Sequence, residues 1–207
     1  MASAIIHIAV AKELEKALKI KNTYNYYLGS IAPDLAKQIG RTKEESHFLF
    51  NSYKPGVPNL KMFLNKYPDF RKNEFDLGYF IHLFTDMEWE DGFIDKLIDK
   101  DCIKLLDGTT LQTTRDEIQQ LIYSDFTNLN IKLIEEYDID LSLFYEDFKE
   151  PKTKIEEIPT DKLDILINKM GLLIENSKEE KTYTFDINSI KNFISKTVSD
   201  IKKELML

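Results

Sequence analysis

Cysteine is almost absent from this chain: Cys102 is the only one among 207 residues. No intrachain disulfide can form, and nothing calls for an oxidising compartment. Proline and glycine are scarce, at six and seven residues, so long stretches are free to keep one regular spacing. No apolar run approaches the roughly 20 residues a membrane-spanning helix needs. Basic runs are missing too, and the formal net charge is -8, a balance that repels a nucleic-acid backbone. The opening stretch "MASAIIHIAVAKELEK" has no basic segment before its apolar residues and turns charged at Lys12 and Glu13. It does not look like a secretion signal, and a cytoplasmic location is expected.

What is present suits a packed core: 43% of the residues are hydrophobic and 31% charged, and polar and apolar positions alternate with helical spacing. An all-α fold is expected, a multi-helix bundle with a metal site between helices. Ser3 is placed to cap a first helix running to about Ile20, with His7 in its early turns. Gly29 and Ser30 look like a loosening of the chain, and Pro33 starts a new helix with Asp34 beside it. The stretch 41–59 resembles an irregular loop and contains His47. A short helix should stop at Pro68 and a long one should run from about Glu74 to Lys100. Further helical spacing covers 114–137, 141–148, 161–176 and 187–205, and "KTYTF" at 181–185 fits a short strand. The charged segment "KEPKTKIEEIPT" is the best hinge. Residues 1–150 are therefore expected to form a helical metal-binding domain, and 151–207 a C-terminal helical extension packed on it.

The stretch "GYFIHLFTDMEWEDGF" raises the question of chemistry. His82 and Asp86 lie one turn apart on one helical face among apolar neighbours. All three histidines, His7, His47 and His82, fall in the first 90 residues and in different segments. Imidazole and carboxylate are the ligand set of zinc and related ions, and a bundle can bring such side chains to one interior point. An ion would also offset the several kcal/mol that burying a carboxylate costs. Each residue has a plainer reading. A single histidine is usually a hydrogen-bonded core or surface group, His82 and Asp86 can be a polar couple, and Asp34 can simply favour a helix start.

Four segments, "AIIHIAVA", "YYLGSIAPDL", "ESHF" and "GYFIHLFTDMEW", taken in order, resemble the zinc-dependent phospholipase C family, particularly its short bacterial members without a secretion signal. The resemblance covers about residues 4 to 91. It implies an all-α fold around a cluster of zinc ions. Asp34, His47, His82 and Asp86 would hold one ion, and His7 with a bridging Asp86 a second. Secreted members complete their sites with the free amino terminus, two further histidines and a glutamate, whereas this chain has no histidine after His82. Glu88, Glu90 and Asp91 are candidates to replace a ligand but also suit an exposed helix face. Asp125 and Tyr123 could reach the site or be a helix start and a core tyrosine.

The expected cofactor is one or two zinc ions, other divalent transition metals being acceptable. Such ions activate water at neutral pH and polarise a phosphoryl oxygen. Asp34, with two oxygens, is the candidate catalytic base. The expected function is metal-dependent hydrolysis of phosphate esters, on a small phosphorylated or phospholipid substrate. Phosphohydrolases of the HD type need an adjacent His-Asp doublet, which this chain lacks. The alternative is a non-catalytic binding module whose helices a metal stabilises.

Overall fold

The computed structural model describes residues 1–145 and 147–207. The fold is mostly helical, with one small three-stranded sheet. Helix α1 spans Ala4–Leu18. Ser3 caps it by accepting the amide of Ile6, and Lys19 ends it in the left-handed conformation. Helix α2, Thr23–Ile31, is capped by Asn22 and passes through Ala32–Asp34 into a single turn, α3, Leu35–Gln38. After a stretch of turns comes α4, Leu60–Lys66, and then α5, Glu74–Glu88, whose first free amides are taken by the Asn73 side chain. The capped starts satisfy donors that would otherwise be orphaned at each helix end.

Several of these expectations need correction. The long helix does not reach Lys100. It ends at Glu88, loosens into a π-helical turn at Trp89–Phe93 and a 3-10 turn at Ile94–Lys96. An antiparallel sheet follows, built from β1 (Ile98–Asp99), β2 (Cys102–Lys104) and β3 (Thr110–Gln112) in that order, with Ile103 opposite Leu111. The turn between β2 and β3 is closed by Asp107, whose carboxylate accepts the Thr109 amide at 2.9 Å, and by Gly108 at φ +85°. Asp-Gly is the usual short-range mark of such a turn. The second correction concerns 181–185, which form no strand. The amides of Tyr183, Thr184 and Phe185 are turned inward onto the buried Asp125 carboxylate, at 2.8, 2.6 and 3.3 Å.

Helix α6, Arg115–Glu136, opens on a capping box in which Thr114 and Glu117 satisfy each other's backbone amides. Where helical spacing suggested 141–148, the described residues make one 3-10 turn at Ser142–Phe144, and Glu146 lies outside them. Helices α7, Leu163–Glu175, and α8, Ile187–Glu204, complete the chain. Helix α8 packs on α1 and α5, and α7 on α3 and α6. Trp89, at the end of α5, is buried among Phe93, Phe126, Phe185 and Phe193.

The contact that matters most for the site is α2 on α5. Gly29 and Gly78 are not points of looseness. A Cβ at Gly29 would stand 2.1 Å from the Phe75 carbonyl oxygen, and one at Gly78 would stand 2.1 Å from that of Tyr26. The two backbones touch because neither residue has a side chain. That closeness sets His82, on α5, against the α2 backbone.

Candidate metal centre

His7 comes from the second turn of α1, Asp34 from the junction after α2, His47 from the loop before α4, and His82 and Asp86 from α5. The fold brings all five together. His7, His47, His82 and Asp86 are wholly buried, while Asp34 keeps an edge toward solvent.

Two of the three rings are oriented from behind. His82 Nδ1 lies 2.8 Å from the Ser30 carbonyl oxygen. A carbonyl only accepts, so Nδ1 carries the proton and Nε2 presents its lone pair to the cluster. His47 Nδ1 lies 2.9 Å from the Ser46 hydroxyl. A hydroxyl can donate or accept, so His47 can carry its proton on either nitrogen. Without an ion its Nε2–H can donate to His82 Nε2, 3.2 Å away. With the proton moved to Nδ1, both Nε2 lone pairs face the same point, an arrangement that a cation stabilises.

The separations have a definite size. His82 Nε2 is 3.4 Å and His47 Nε2 3.5 Å from Asp86 Oδ2, and His47 Nε2 is 3.6 Å from Asp34 Oδ1. With the 3.2 Å between the two imidazoles, His47, His82 and Asp86 close one triangle, while Asp34 touches it through His47 and also groups with His7 and His82. A tetrahedral zinc site with bonds of about 2.0–2.1 Å has edges of about 3.3–3.4 Å. The contacts are too long for charge-assisted hydrogen bonds, which run at about 2.7–2.9 Å. Asp86 faces two ways: Oδ1 accepts the Ala2 amide at 2.9 Å and lies 3.4 Å from His7 Nε2. Both nitrogens of His7 and Asp86 Oδ2 are buried without a hydrogen-bond partner. Buried polar atoms are nearly always paired, and these unpartnered atoms of His7 and Asp86 belong to residues that could hold a metal ion.

Electrostatics prepare the same state. Burial pushes the His7 imidazole below its ordinary pKa, helped by His82, and pushes His47 down to about 4. Both are neutral and able to donate a lone pair at neutral pH. Burial would raise both carboxylates, but their neighbours outweigh it: His47, Lys43 and His82 hold Asp34 well below the usual range, and His7 and His82 do the same for Asp86. Lys43 Nζ donates to Asp34 Oδ1 and completes the charge balance on the solvent side.

The further acids that the sequence offered as alternatives do not join the cluster. Glu88 pairs with Lys196, Glu90 with the Met1 amino group, and Asp91 with Tyr53 and Lys54. Asp125 faces the 183–185 segment instead. Tyr123 stands closer, since its hydroxyl accepts from Lys37 at 3.1 Å and it lines the cavity onto which Asp34 opens. Lys43, Ser30 and Ser46 escaped the sequence reading. Of these only Ser46 carried a signal, as the polar neighbour of a buried histidine.

Compared with protein-family models, curated proteins and solved structures, the chain matches none.

Proposed function

We propose that the protein is a metal-dependent hydrolase of phosphate esters, with zinc as the preferred ion, as its resemblance to the zinc-dependent phospholipase C family implies. The observation that carries the reading is the triangle of His47, His82 and Asp86, whose 3.2–3.5 Å edges match the spacing of ligands around a tetrahedral ion, with Asp34 3.6 Å from His47 beside it. His7 and the other oxygen of Asp86 offer the beginning of a second position.

A bound ion would supply Lewis acidity, making a water nucleophilic at neutral pH and drawing charge from a phosphoryl oxygen. The chain's own residues do the rest. Asp34, unprotonated and at the cavity edge, takes one water proton as the water oxygen joins phosphorus and the ester P–O bond breaks; that proton then passes to the leaving oxygen. Ser30 and Ser46 hold the two imidazoles in place, and the apolar residues around α5 keep bulk water from the far side of the cluster. The complete burial of four of the five residues favours a second reading, a closed site that only braces the helices.

Metal analysis of protein purified without chelator tests the ion. Uptake near one equivalent is expected, and less than about 0.2 equivalents with none gained on titration would sink the proposal. Hydrolysis of p-nitrophenyl phosphate or bis-p-nitrophenyl phosphate by the loaded protein separates enzyme from brace. Loaded protein that cleaves neither, with no exchangeable water at its metal, is the bracing module.

A further inference from the structure

Beside the cluster, between the start of α1, α3, α6 and α7, lies a cavity of about 390 Å³, within the size range of small-ligand sites. Asp34 lies on its wall, so it communicates with the candidate metal centre. The chain is acidic, with a net charge of -8, yet this cavity is lined by three lysines, Lys37, Lys43 and Lys169, and Asp34 is the one acid among its lining residues. They come from three separate segments, so no local run of basic residues announces them. Lys43 and Asp34 already neutralise each other. If Asp34 turns to an ion, Lys43 is released toward the cavity; Lys37, which donates to the Tyr123 hydroxyl at 3.1 Å, and Lys169 have no carboxylate partner among the described residues and keep their charge for an anion.

The rest of the wall is mostly apolar. Asn130 is buried on the cavity wall, and while its Nδ2 reaches Ser177 at 3.2 Å, its Oδ1 has no partner. That oxygen is a buried acceptor and offers nothing to an anion, so the three lysines are the groups that would meet one. Ile5, Leu166 and Met170 supply an apolar wall for the remainder of a bound molecule.

We propose that this cavity binds the phosphate of a phosphomonoester and that Lys37, Lys43 and Lys169 make the site select a dianionic terminal phosphate over a singly charged diester. The inference rests on the hydrolase reading above, which it narrows to one substrate class. The second negative charge distinguishes the two esters near neutral pH, and each lysine that meets it adds attraction that the diester cannot use fully. Because a lysine contacts phosphate as a point charge rather than a fork, the preference is for charge and not for one geometry.

The test uses the full-length protein and inorganic phosphate as probe, with zinc titrated separately. Calorimetry or 31P NMR reads phosphate binding in the wild type, in Lys43→Gln and in the exposed double variant Lys37→Gln/Lys169→Gln, which leaves the core untouched. Phosphate affinity should fall about tenfold or more in the double variant, while its zinc affinity stays unchanged. The ratio of kcat/KM for p-nitrophenyl phosphate to that for bis-p-nitrophenyl phosphate should fall by a similar factor. Zinc uptake with phosphate binding that ignores all three lysines overturns the pocket and leaves the metal centre. Lysine-dependent phosphate binding without zinc uptake overturns the metal centre and leaves an anion pocket. A variant ratio that stays at the wild-type value refutes the claimed selectivity.

Discussion

Gly78→Ala is the substitution in which fold and site can be read together. In an isolated helix the change stabilises by about 1 kcal/mol, because alanine has less backbone freedom to lose. Here the new Cβ would stand 2.1 Å from the Tyr26 carbonyl oxygen and 2.9 Å from the Ser30 amide nitrogen, both backbone atoms that no rotamer change can move. Relief requires α2 and α5 to part by about 1 Å, and overpacking of that kind costs roughly 1–3 kcal/mol. The same movement carries the Ser30 carbonyl away from His82 Nδ1. Their 2.8 Å contact would open to about 3.8 Å, beyond hydrogen bonding, at a further cost of about 1 kcal/mol. The net expectation is a loss of roughly 1–3 kcal/mol, or about 3–10 °C in Tm for a chain of this size. Zinc affinity should drop 10- to 100-fold, the usual effect of losing a group that orients a ligand. Thermal denaturation and competition with a chromophoric chelator measure the two effects. Gly171→Ala on α7 is the control, since its Cβ would meet only the end of the Tyr145 side chain, at 3.5 and 3.8 Å in ordinary van der Waals contact, and it should stabilise by about 0.5–1 kcal/mol. If Gly78→Ala raises Tm as the control does, or keeps wild-type zinc affinity, the coupling between helix contact and site is wrong.

Three other expectations follow from the cluster. Asp86→Ala removes the carboxylate that faces both His7 and the His47–His82 pair; zinc uptake should be abolished while far-UV circular dichroism keeps its helical signal, and retained uptake would exclude Asp86 as a ligand. Ser46→Ala leaves His47 Nδ1 without its hydroxyl partner and should weaken zinc about 10-fold with little change in Tm, whereas an unaltered affinity would show that the ring needs no such support. In metal-free protein, stability should depend on acid in a particular window. His47 titrates near 4 in the fold and near 6.5 when unfolded, so the unfolded chain binds the extra proton first. Its contribution is intact above pH 6.5 and is lost as pH falls toward 4, a change of about 3 kcal/mol. Urea unfolding at pH 7.5 and pH 4.5 measures it, and a flat profile across that window would mean that His47 is not held neutral by burial.

How much of this was visible beforehand depended on the range of the interaction involved. Helix α1 was legible because Ser3 and the apolar stripe behind it lie within a few residues of each other. The pairing of His82 with Asp86 was legible because a helix sets their common face. The end of α5 was not, since aromatic spacing continues from Trp89 into Phe93 while the backbone has already loosened to bury Trp89 with Phe93 stacked on it. The sheet after it was announced by Asp107-Gly108, a signal that helical spacing on either side concealed. Gly29 and Gly78 were opaque for another reason. A glycine that permits contact and one that permits looseness look identical until the partner backbone, 49 residues away along the chain, is in place. Lys37, Lys43 and Lys169 were hidden in the same way, as each looks like an ordinary solvated charge in its own segment.

The carboxylate of Asp125 also determines how the far end of the molecule should exchange with its solvent. Tyr183, Thr184 and Phe185 lie outside every helix and strand, where backbone amides ordinarily trade their protons quickly. Their three amides and the Thr184 hydroxyl instead share one buried acceptor on α6. In deuterated water this trio should therefore remain protonated about as long as the helices beside it, forming a slow island between fast-exchanging neighbours. The chain leading into α8 is thus fastened where regular structure is missing, its amides by Asp125 and its carbonyls at Lys181 and Tyr183 by Asn128 and the Leu106 amide.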